Sequence, residues 1–216
     1  MKYILKGSSP IEFEDWKNQA NDQWQPSWDN FQNPEKKKVK EALLIEQGYI
    51  CCYCGMRVEN DVYTEIEHIK LRQECVDSEA YKALDFKNFL ASCNGSTKEP
   101  KPREVHCNNA RSNQFLAINP LNPVCEDKFI YTYDGMVIPS NPSDNDIANL
   151  IDSVLRLNAK KIKNFREKLI HALDEDFRDA TLADIEDEIY ALSQKDNNRF
   201  HEMCFVSVSY LKSNML

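Results

Sequence analysis

The feature that most constrains this chain is a pair of cysteines two residues apart, Cys51 and Cys54, with a second pair far downstream. Thiolates at C-x-x-C spacing lie on one tight turn, where both can bind a single tetrahedral zinc ion. Cys93 and Cys107 are the natural second pair, because they flank a polar stretch that can bulge outward while its ends converge on the metal. Four cysteines leave zinc no open position, so the sequence predicts a structural Zn²⁺ site.

Other interpretations of the cysteines compete with this one. A C-x-x-C pair can also be a thioredoxin-like redox motif, but no βαβ pattern surrounds it and further cysteines follow. Cys52, Cys75 and His106 stay open as alternative ligands, since each lies beside or between the two pairs. Cys125 and Cys204 are better explained as small buried apolar residues.

Composition indicates a globular protein without a broad surface for polyanions. The chain has 216 residues, 42% of them hydrophobic, which is enough for one buried core with a helical annex. Its formal charge of −8 argues against charge-driven binding of nucleic acid by this chain alone. Binding of nucleic acid would therefore need either basic groups concentrated at a cleft or a partner protein that binds the nucleic acid. The lysines at 36–38 are better explained as a solvated face.

The N-terminal sequence predicts a cytoplasmic protein. The opening MKYILKGSSP lacks the apolar stretch of a signal peptide, and no run approaches the length of a membrane span. We therefore expect no membrane partner. In a reducing compartment, clustered cysteines are better explained as metal ligands than as disulfides.

Local patterns divide the chain into four segments within one predicted domain, 1–216. Apolar residues at helical spacing mark both ends, alternating apolar residues mark a hairpin, and most cysteines lie between. The predicted segments are an N-terminal helical segment over 1–48, a zinc core over 49–120, a β-hairpin over 121–142 and an acidic helical segment over 143–216.

Particular residues are predicted to begin or end elements within these segments. Asn33-Pro34 opens a helix that ends at Gly48. A strand is predicted over 62–71 and a polar loop over 92–103. The remaining signals are a hairpin turn at Asp134-Gly135 and helix caps at Asn158 and at Thr181 with Asp184.

A second group of chemically important residues lies around the cysteine pairs. Glu67-His68-Ile69 falls on the predicted strand, Asn88 follows, and Asn108 and Arg111 come just after Cys107. An imidazole can take a proton near neutral pH, and carboxylate and amide oxygens suit Mg²⁺ or Mn²⁺. Consecutive strand residues point to opposite faces, so Glu67 and His68 can share a site only if the strand bends or ends there.

The order of these motifs, C-x-x-C, E-H-I, N-F-L-x-x-C and C-N-x-x-R, resembles the HNH or ββα-metal endonuclease family. The resemblance implies an α+β fold: a small zinc-stapled ββα-metal (HNH) core with an extra β-hairpin, flanked by N- and C-terminal helices. The opening Met1–Ile4, the stretch Gln47–Cys54 and Leu155–Asn158 are similar to one subfamily. It is the HNH nuclease subunit (PtuB) of Septu-type anti-phage systems, also found beside some retrons.

The resemblance implies a function for each residue of the motif. Hydrolysis of a phosphodiester needs a general base, oxygen ligands for a divalent cation, a residue that orients the base and a cation near phosphate. By resemblance, His68 is the general base, and Glu67 and Asn108 are the ligands of Mg²⁺ or Mn²⁺. Asn88 orients the base or braces its loop, and Arg111 is the cation near the phosphate.

This chain departs from the family pattern in three places. Leu71 stands where many members have Pro. Arg111 replaces the usual Lys, which keeps the positive charge and adds a planar fork for phosphate. The insert between Cys93 and Cys107 is much longer than the two residues of the minimal motif, which keeps Cys52, Cys75 and His106 open as alternative ligands.

Two functions of different classes fit the pattern. The intact motif favours a metal-dependent endonuclease of anti-phage defence that works with a P-loop or ABC-type (PtuA-like) ATPase. DNA is the favoured substrate and structured RNA such as transfer RNA the alternative, because such a site contacts the phosphodiester rather than the bases. The second function is that of a catalytically inactive, zinc-stapled binding or scaffold subunit, which would usually have lost at least one motif residue.

Overall fold

The chain alternates helices with two separate antiparallel sheets, in the computed structural model that describes residues 1–75, 82–95 and 105–216. Helices α1 to α7 comprise Ile11–Lys17, Glu35–Gln47, Cys107–Arg111, Asn145–Asn149, Lys160–Asp176, Leu182–Ser193 and Cys204–Asn214. Strands β1 to β4 comprise Thr64–His68, Phe89–Cys93, Phe129–Tyr131 and Val137–Pro139. A π-helical turn over Leu150–Val154 continues α4. Among the described helices, none has the length and apolar character needed to cross a membrane.

Helix α2 positions the turn that carries the first cysteine pair. It ends where the sequence predicts, because Gly48 takes the left-handed conformation (φ 61°) that closes a helix. Its last residue, Gln47, is buried, and its side-chain amide forms two hydrogen bonds with the backbone of β2. The amide nitrogen of Gln47 donates to the Ala91 carbonyl (2.7 Å), and its amide oxygen accepts from the Ala91 backbone N–H (2.7 Å).

Strands β1 and β2 pair in antiparallel register, with Thr64 opposite Cys93 and His68 opposite Phe89. The predicted strand over 62–71 exists but is shorter. The loop predicted over 92–103 is wrong at its start, since Ser92 and Cys93 belong to β2 and pair with β1. The part of that loop from 96 to 103 lies outside the described residues.

Helix α3 follows these two strands and packs against β2. The order β1, β2, α3, with Cys93 at the end of β2 and Cys107 at the start of α3, is consistent with an HNH core. The fold is thus of the predicted mixed α and β class, with small two-stranded sheets beside a cysteine cluster.

The predicted hairpin is confirmed. Phe129 pairs with Pro139 and Tyr131 with Val137, and Gly135 takes a positive φ of 77° in the turn. The hairpin is held by Arg166 of α5, a buried guanidinium that donates to the carbonyl oxygens of Gly135 (2.8 Å) and Leu157 (2.7 Å). The second sheet is therefore anchored to the C-terminal helices through backbone oxygens.

One predicted helix cap is wrong and another is confirmed. Helix α5 begins after Ala159 rather than Asn158, and Asn158 bonds instead to the backbone N–H and carbonyl of Val137, both at 2.9 Å. Thr181 caps α6 as predicted, because its hydroxyl accepts from the Asp184 N–H while the Asp184 carboxylate accepts from Thr181.

Candidate active site

The four predicted zinc ligands come together, with the sulfur atoms of Cys51, Cys54, Cys93 and Cys107 all within 4.8 Å of one another. The Sγ atoms of Cys51 and Cys107 are 3.9 Å apart, and those of Cys54 and Cys93 are 3.8 Å apart. A tetrahedral zinc ion with Zn–S bonds of about 2.3 Å requires sulfur separations of about 3.8 Å. The cluster therefore has the donor set and the size to hold a zinc ion.

The surroundings of the cysteine sulfur atoms are those expected for thiolates bound to a metal cation. The backbone N–H of Cys93 donates to the Cys51 sulfur at 3.3 Å, as N–H groups around metal-bound thiolates commonly do. Burial raises the pKa of the Cys107 thiol well above its usual value. A divalent cation offsets this cost, because it binds and stabilises the deprotonated sulfur.

The alternative ligands lie beside or outside this cluster. The Nδ1 atom of His106 is 3.2 Å from the Cys107 sulfur, so the imidazole flanks the four sulfur atoms. Cys75 instead donates to the carbonyl of Leu71 at 3.3 Å. Cys52 is buried next to the first pair without belonging to the cluster.

The ends of the insert between Cys93 and Cys107 meet next to the cluster. The His106 N–H donates to the Gly95 carbonyl at 3.3 Å. Gly95 has a φ of 70°, and a Cβ atom there would overlap the carbonyl oxygen of His106. Only glycine fits this close approach, which brings the two ligands together despite the length of the insert.

At β1, the structure brings the side chains of Tyr53, Asn108 and Arg111 to the carboxylate of Glu67. The carboxylate of Glu67 is buried (5% exposed), and its Oε1 atom accepts from the Tyr53 hydroxyl at 2.9 Å and from Arg111. Its Oε2 atom accepts from the side-chain amide of Asn108. The two residues expected to bind the catalytic metal are therefore direct neighbours. Sequence reasoning missed the contact that Tyr53 makes from the middle of the C-x-x-C motif.

The guanidinium of Arg111 points into the protein and is 1% exposed. Besides Glu67 and Tyr53, it donates to the carbonyl oxygens of His68 (2.6 Å) and Ile69 (2.9 Å). It thus braces α3 against the end of β1. Contact with a substrate phosphate remains a prediction, and it requires the guanidinium to leave these bonds.

His68 lies among different neighbours. Its ring meets those of Trp28 (centroids 4.4 Å apart) and Phe89 (4.9 Å) edge to face. Its Nε2 atom is 3.1 Å from the carbonyl oxygen of Ala83, which can only accept, so Nε2 carries the proton and Nδ1 has the free lone pair. The side chains of Glu67 and His68 diverge, as expected for consecutive strand residues, although β1 does end at His68.

Burial lowers the pKa of His68 to about 4. Arg72, Arg111 and Lys36 act in the same direction, because positive charge disfavours the imidazolium. The imidazole is therefore neutral at physiological pH, as a general base must be before it takes a proton.

Asn88 braces the chain that follows the histidine. Its side-chain oxygen accepts from the Lys70 N–H (2.7 Å), and its amide donates to the carbonyl oxygens of Lys70 (3.0 Å) and Lys82 (2.9 Å). Lys82 immediately precedes Ala83, whose carbonyl oxygen contacts His68. Asn88 therefore holds the backbone on both sides of the His68 ring.

Comparison with known proteins supports the HNH endonuclease family. No protein-family model matches the chain. Two similar curated proteins share the name "putative HNH endonuclease", one of retron Vc95 from Vibrio cholerae serotype O1 biovar El Tor and one of retron Ec83 from Escherichia coli. The first is 26% identical over 142 residues, which cover 64% of this chain and 66% of the relative. The second is 30% identical over 88 residues, which cover 38% of this chain and 34% of the relative.

Proposed function

We propose that this protein is a metal-dependent HNH endonuclease that hydrolyses phosphodiester bonds in nucleic acid. The observation that carries the proposal is the arrangement at the end of β1. There the carboxylate of Glu67 and the amide of Asn108 lie side by side, and the residue after Glu67 is His68, a buried and neutral imidazole. The cysteine cluster anchors the same strands, and the names of both similar proteins point to the same chemistry.

Glu67 and Asn108 are the residues that would hold a Mg²⁺ or Mn²⁺ ion. Oε2 of Glu67 has Asn108 as its neighbour, while Tyr53 and Arg111 fix Oε1. Two oxygen donors suit Mg²⁺, which usually keeps several positions for water and substrate phosphate. When bound, the ion offsets the negative charge that develops on the phosphate and leaving-group oxygens. For this purpose the Asn108 amide must turn its oxygen toward the Glu67 carboxylate.

His68 supplies the base in this proposal. Its Nδ1 atom takes a proton from the attacking water, while Nε2–H stays bound to the carbonyl of Ala83. Because the Glu67 and His68 side chains diverge, the proposal implies that the end of β1 adjusts when substrate binds. Asn88 limits this movement on the His68 side through its three bonds to the backbone.

We further propose DNA as the substrate, anti-phage defence as the setting and a P-loop or ABC-type ATPase as the partner. The acidic chain carries a formal charge of −8, which favours delivery of the nucleic acid by another protein. Structured RNA is the second candidate substrate.

A catalytically inactive scaffold is the second candidate function. The observation that favours it is the buried ion pair between Arg111 and Glu67, which occupies one oxygen of the expected metal ligand. An ion pair of this kind also occurs where a carboxylate has a purely structural role.

The test is to assay cleavage of DNA and RNA with Mg²⁺ or Mn²⁺ by the zinc-loaded protein, alone and with the proposed P-loop or ABC-type ATPase. His68→Ala should slow cleavage by about 10²–10⁴-fold, the usual cost of losing a general base. The matched control is His201→Ala, which removes an exposed imidazole outside the site. Zinc content should match the parent in both variants, whereas the melting temperature should fall in His68→Ala, which removes a buried ring packed against Trp28 and Phe89. Cleavage by His68→Ala at the parent rate would refute the assignment of His68 as the general base. If no sample cut nucleic acid, the inactive scaffold would be the remaining candidate function.

A further inference from the structure

A half-buried tryptophan that the sequence patterns did not single out covers the proposed base. The Trp28 ring stands edge to face against His68, with centroids 4.4 Å apart, and also contacts Phe89 at 5.7 Å. Trp28 retains some solvent exposure although it lies against two buried rings. It therefore connects the interior position of His68 with the surface of the protein.

Two cations from separate elements converge on the same indole ring. The Nζ atom of Lys36, in the first turn of α2, lies 5.1 Å from the ring centroid. The guanidinium of Arg72, in the 3₁₀ turn that follows β1, lies 5.3 Å from it. Within residues 1–75, 82–95 and 105–216, neither cation forms an ion pair, whereas the nearby Lys38 pairs with Glu12.

The energetics favour an anion at this position. A cation–π contact at an exposed site stabilises a cation only modestly, so each cation can still bind an anion while it lies over the ring. A phosphate group beside the ring could be reached by both cations, and a guanidinium can bind it through two parallel N–H groups.

We propose that Lys36 and Arg72 form a phosphate clamp on Trp28, which holds the backbone of a nucleic-acid strand next to His68. The inference rests on the proposed nuclease function and deepens it. Lys36 was expected to be part of a solvated face, and its contact with Trp28 is what distinguishes it from its neighbours. Trp28 is a positioning residue, because it holds both cations and packs against the base. In a chain with a net charge of −8, such a local pair can bind phosphate without a broad basic surface.

The clamp is tested by the salt dependence of binding. Fluorescence anisotropy would measure the affinity of the zinc-loaded protein for a labelled single-stranded DNA and an RNA of the same sequence, without added Mg²⁺ or Mn²⁺. Each phosphate contact contributes about −0.7 to the slope of log affinity against log salt concentration for a single strand. Lys36→Gln and Arg72→Gln should each make the slope shallower by about that amount. The controls Lys168→Gln and Arg178→Gln remove exposed cations on α5 and in the turn after it, and they should leave the slope unchanged.

Cleavage kinetics give a second readout. Both clamp variants should raise KM, with kcat within about twofold of the parent, because the contact is made in substrate and transition state alike. Trp28→Ala should make the slope shallower by the sum of the two single variants. Trp28→Phe keeps a ring under the cations, and it should keep most of the slope even if Trp28→Ala folds poorly.

The outcomes separate the clamp from the nuclease. A parent protein that cuts nucleic acid, with unchanged slopes and KM values in both single variants, would overturn the clamp and leave the proposed function standing. Binding that weakens as expected in a protein that never cuts would support the clamp and overturn the nuclease. Equal effects on DNA and RNA would identify the shared phosphodiester as the ligand, and an effect on one alone would identify that strand as the ligand.

Discussion

Cys107 is both the first residue of α3 and a member of the cysteine cluster, so its sulfur links the helix to the turn that carries Cys51. Cys107→Ala should abolish stoichiometric zinc binding and lower the melting temperature, because metal binding by such sites is coupled to folding. Cys125→Ala is a closely matched control, since Cys125 is as fully buried but lies outside the cluster.

The measurements are zinc per chain by elemental analysis and the melting temperature. The control should retain zinc and lose only the packing of one small side chain, about 1 kcal/mol. Equal zinc contents in the two variants would refute the assignment of Cys107 as a ligand.

Residues were predictable where their chemistry is local in the sequence. Cys51 and Cys54 are recognisable by their spacing, and the sulfur atoms of Cys93 and Cys107 lie within 4.8 Å of theirs, in agreement with the predicted pairing. Trp28 and Tyr53 were missed because each acquires its importance from residues distant in sequence, His68 and Glu67. The charge of Arg111 was evident, but its inward direction depends on carbonyl oxygens that only the folded β1 presents.

The junction between β2 and α3 depends on a single glycine. Gly95→Ala should destabilise the protein by at least about 1–2 kcal/mol, the cost of a left-handed conformation for a residue with a Cβ, with the overlap on His106 added. In a chain of this size, 1 kcal/mol corresponds to roughly 2–4 °C in melting temperature. The variant should also lose zinc to a chelator faster than the parent, because Cys93 and Cys107 flank the junction.

Gly7→Ala is the matched control for this element. Gly7 is not in the positive-φ region, and the closest atom to an added Cβ is the flexible end of Glu46 at 3.1 Å. Thermal melting and zinc release would both be measured. A Gly95→Ala variant that melts and releases zinc like the Gly7 control would show that the junction tolerates a side chain.

Elements were predictable where a strong local signal begins or ends them. Helix α2 ends at Gly48, the hairpin turns at Gly135 and α6 begins at a Thr181 cap, each as a glycine or capping rule requires. Strand β2 was missed because its first four residues are all buried, so it lacks the alternation that reveals a strand with one exposed face. The prediction that Asn158 caps a helix was wrong because its side chain is hydrogen-bonded to the backbone of Val137 in the hairpin.

At the scale of the whole molecule, the order of motifs predicted the mixed α and β class and the grouping of the cysteines. The packing that joins the parts was not predictable. One apolar cluster runs from Met1 to Tyr210, and a smaller one joins Ile185 and Leu192 of α6 to Leu211 of α7. Such contacts depend on side-chain shape across distant segments, whereas motif spacing reports only on neighbours along the chain.

The distribution of charge predicts that the chain needs a partner for efficient cleavage. The formal charge is −8, and acidic residues are concentrated from Asp174 to Glu188, in the C-terminal helices. The proposed clamp offers only two cations, so binding to nucleic acid by this chain alone should be weak at physiological salt. Helix α6 exposes Leu182 and Tyr190 (65% and 69%), apolar groups that suit a protein contact better than a nucleic-acid contact.

We therefore expect the chain to co-purify with the proposed ATPase partner and to cut faster in the complex than alone at physiological salt. Tyr190→Asp should reduce co-purification without changing zinc content, because it places a charge in the proposed contact. Leu5→Asp adds the same charge at another exposed apolar position, 77% exposed, and should have no effect. The need for a partner would be excluded if the chain alone bound nucleic acid tightly at physiological salt and cut it at the same rate with and without the ATPase. The cations near His68 would then have to account for all of the binding to nucleic acid.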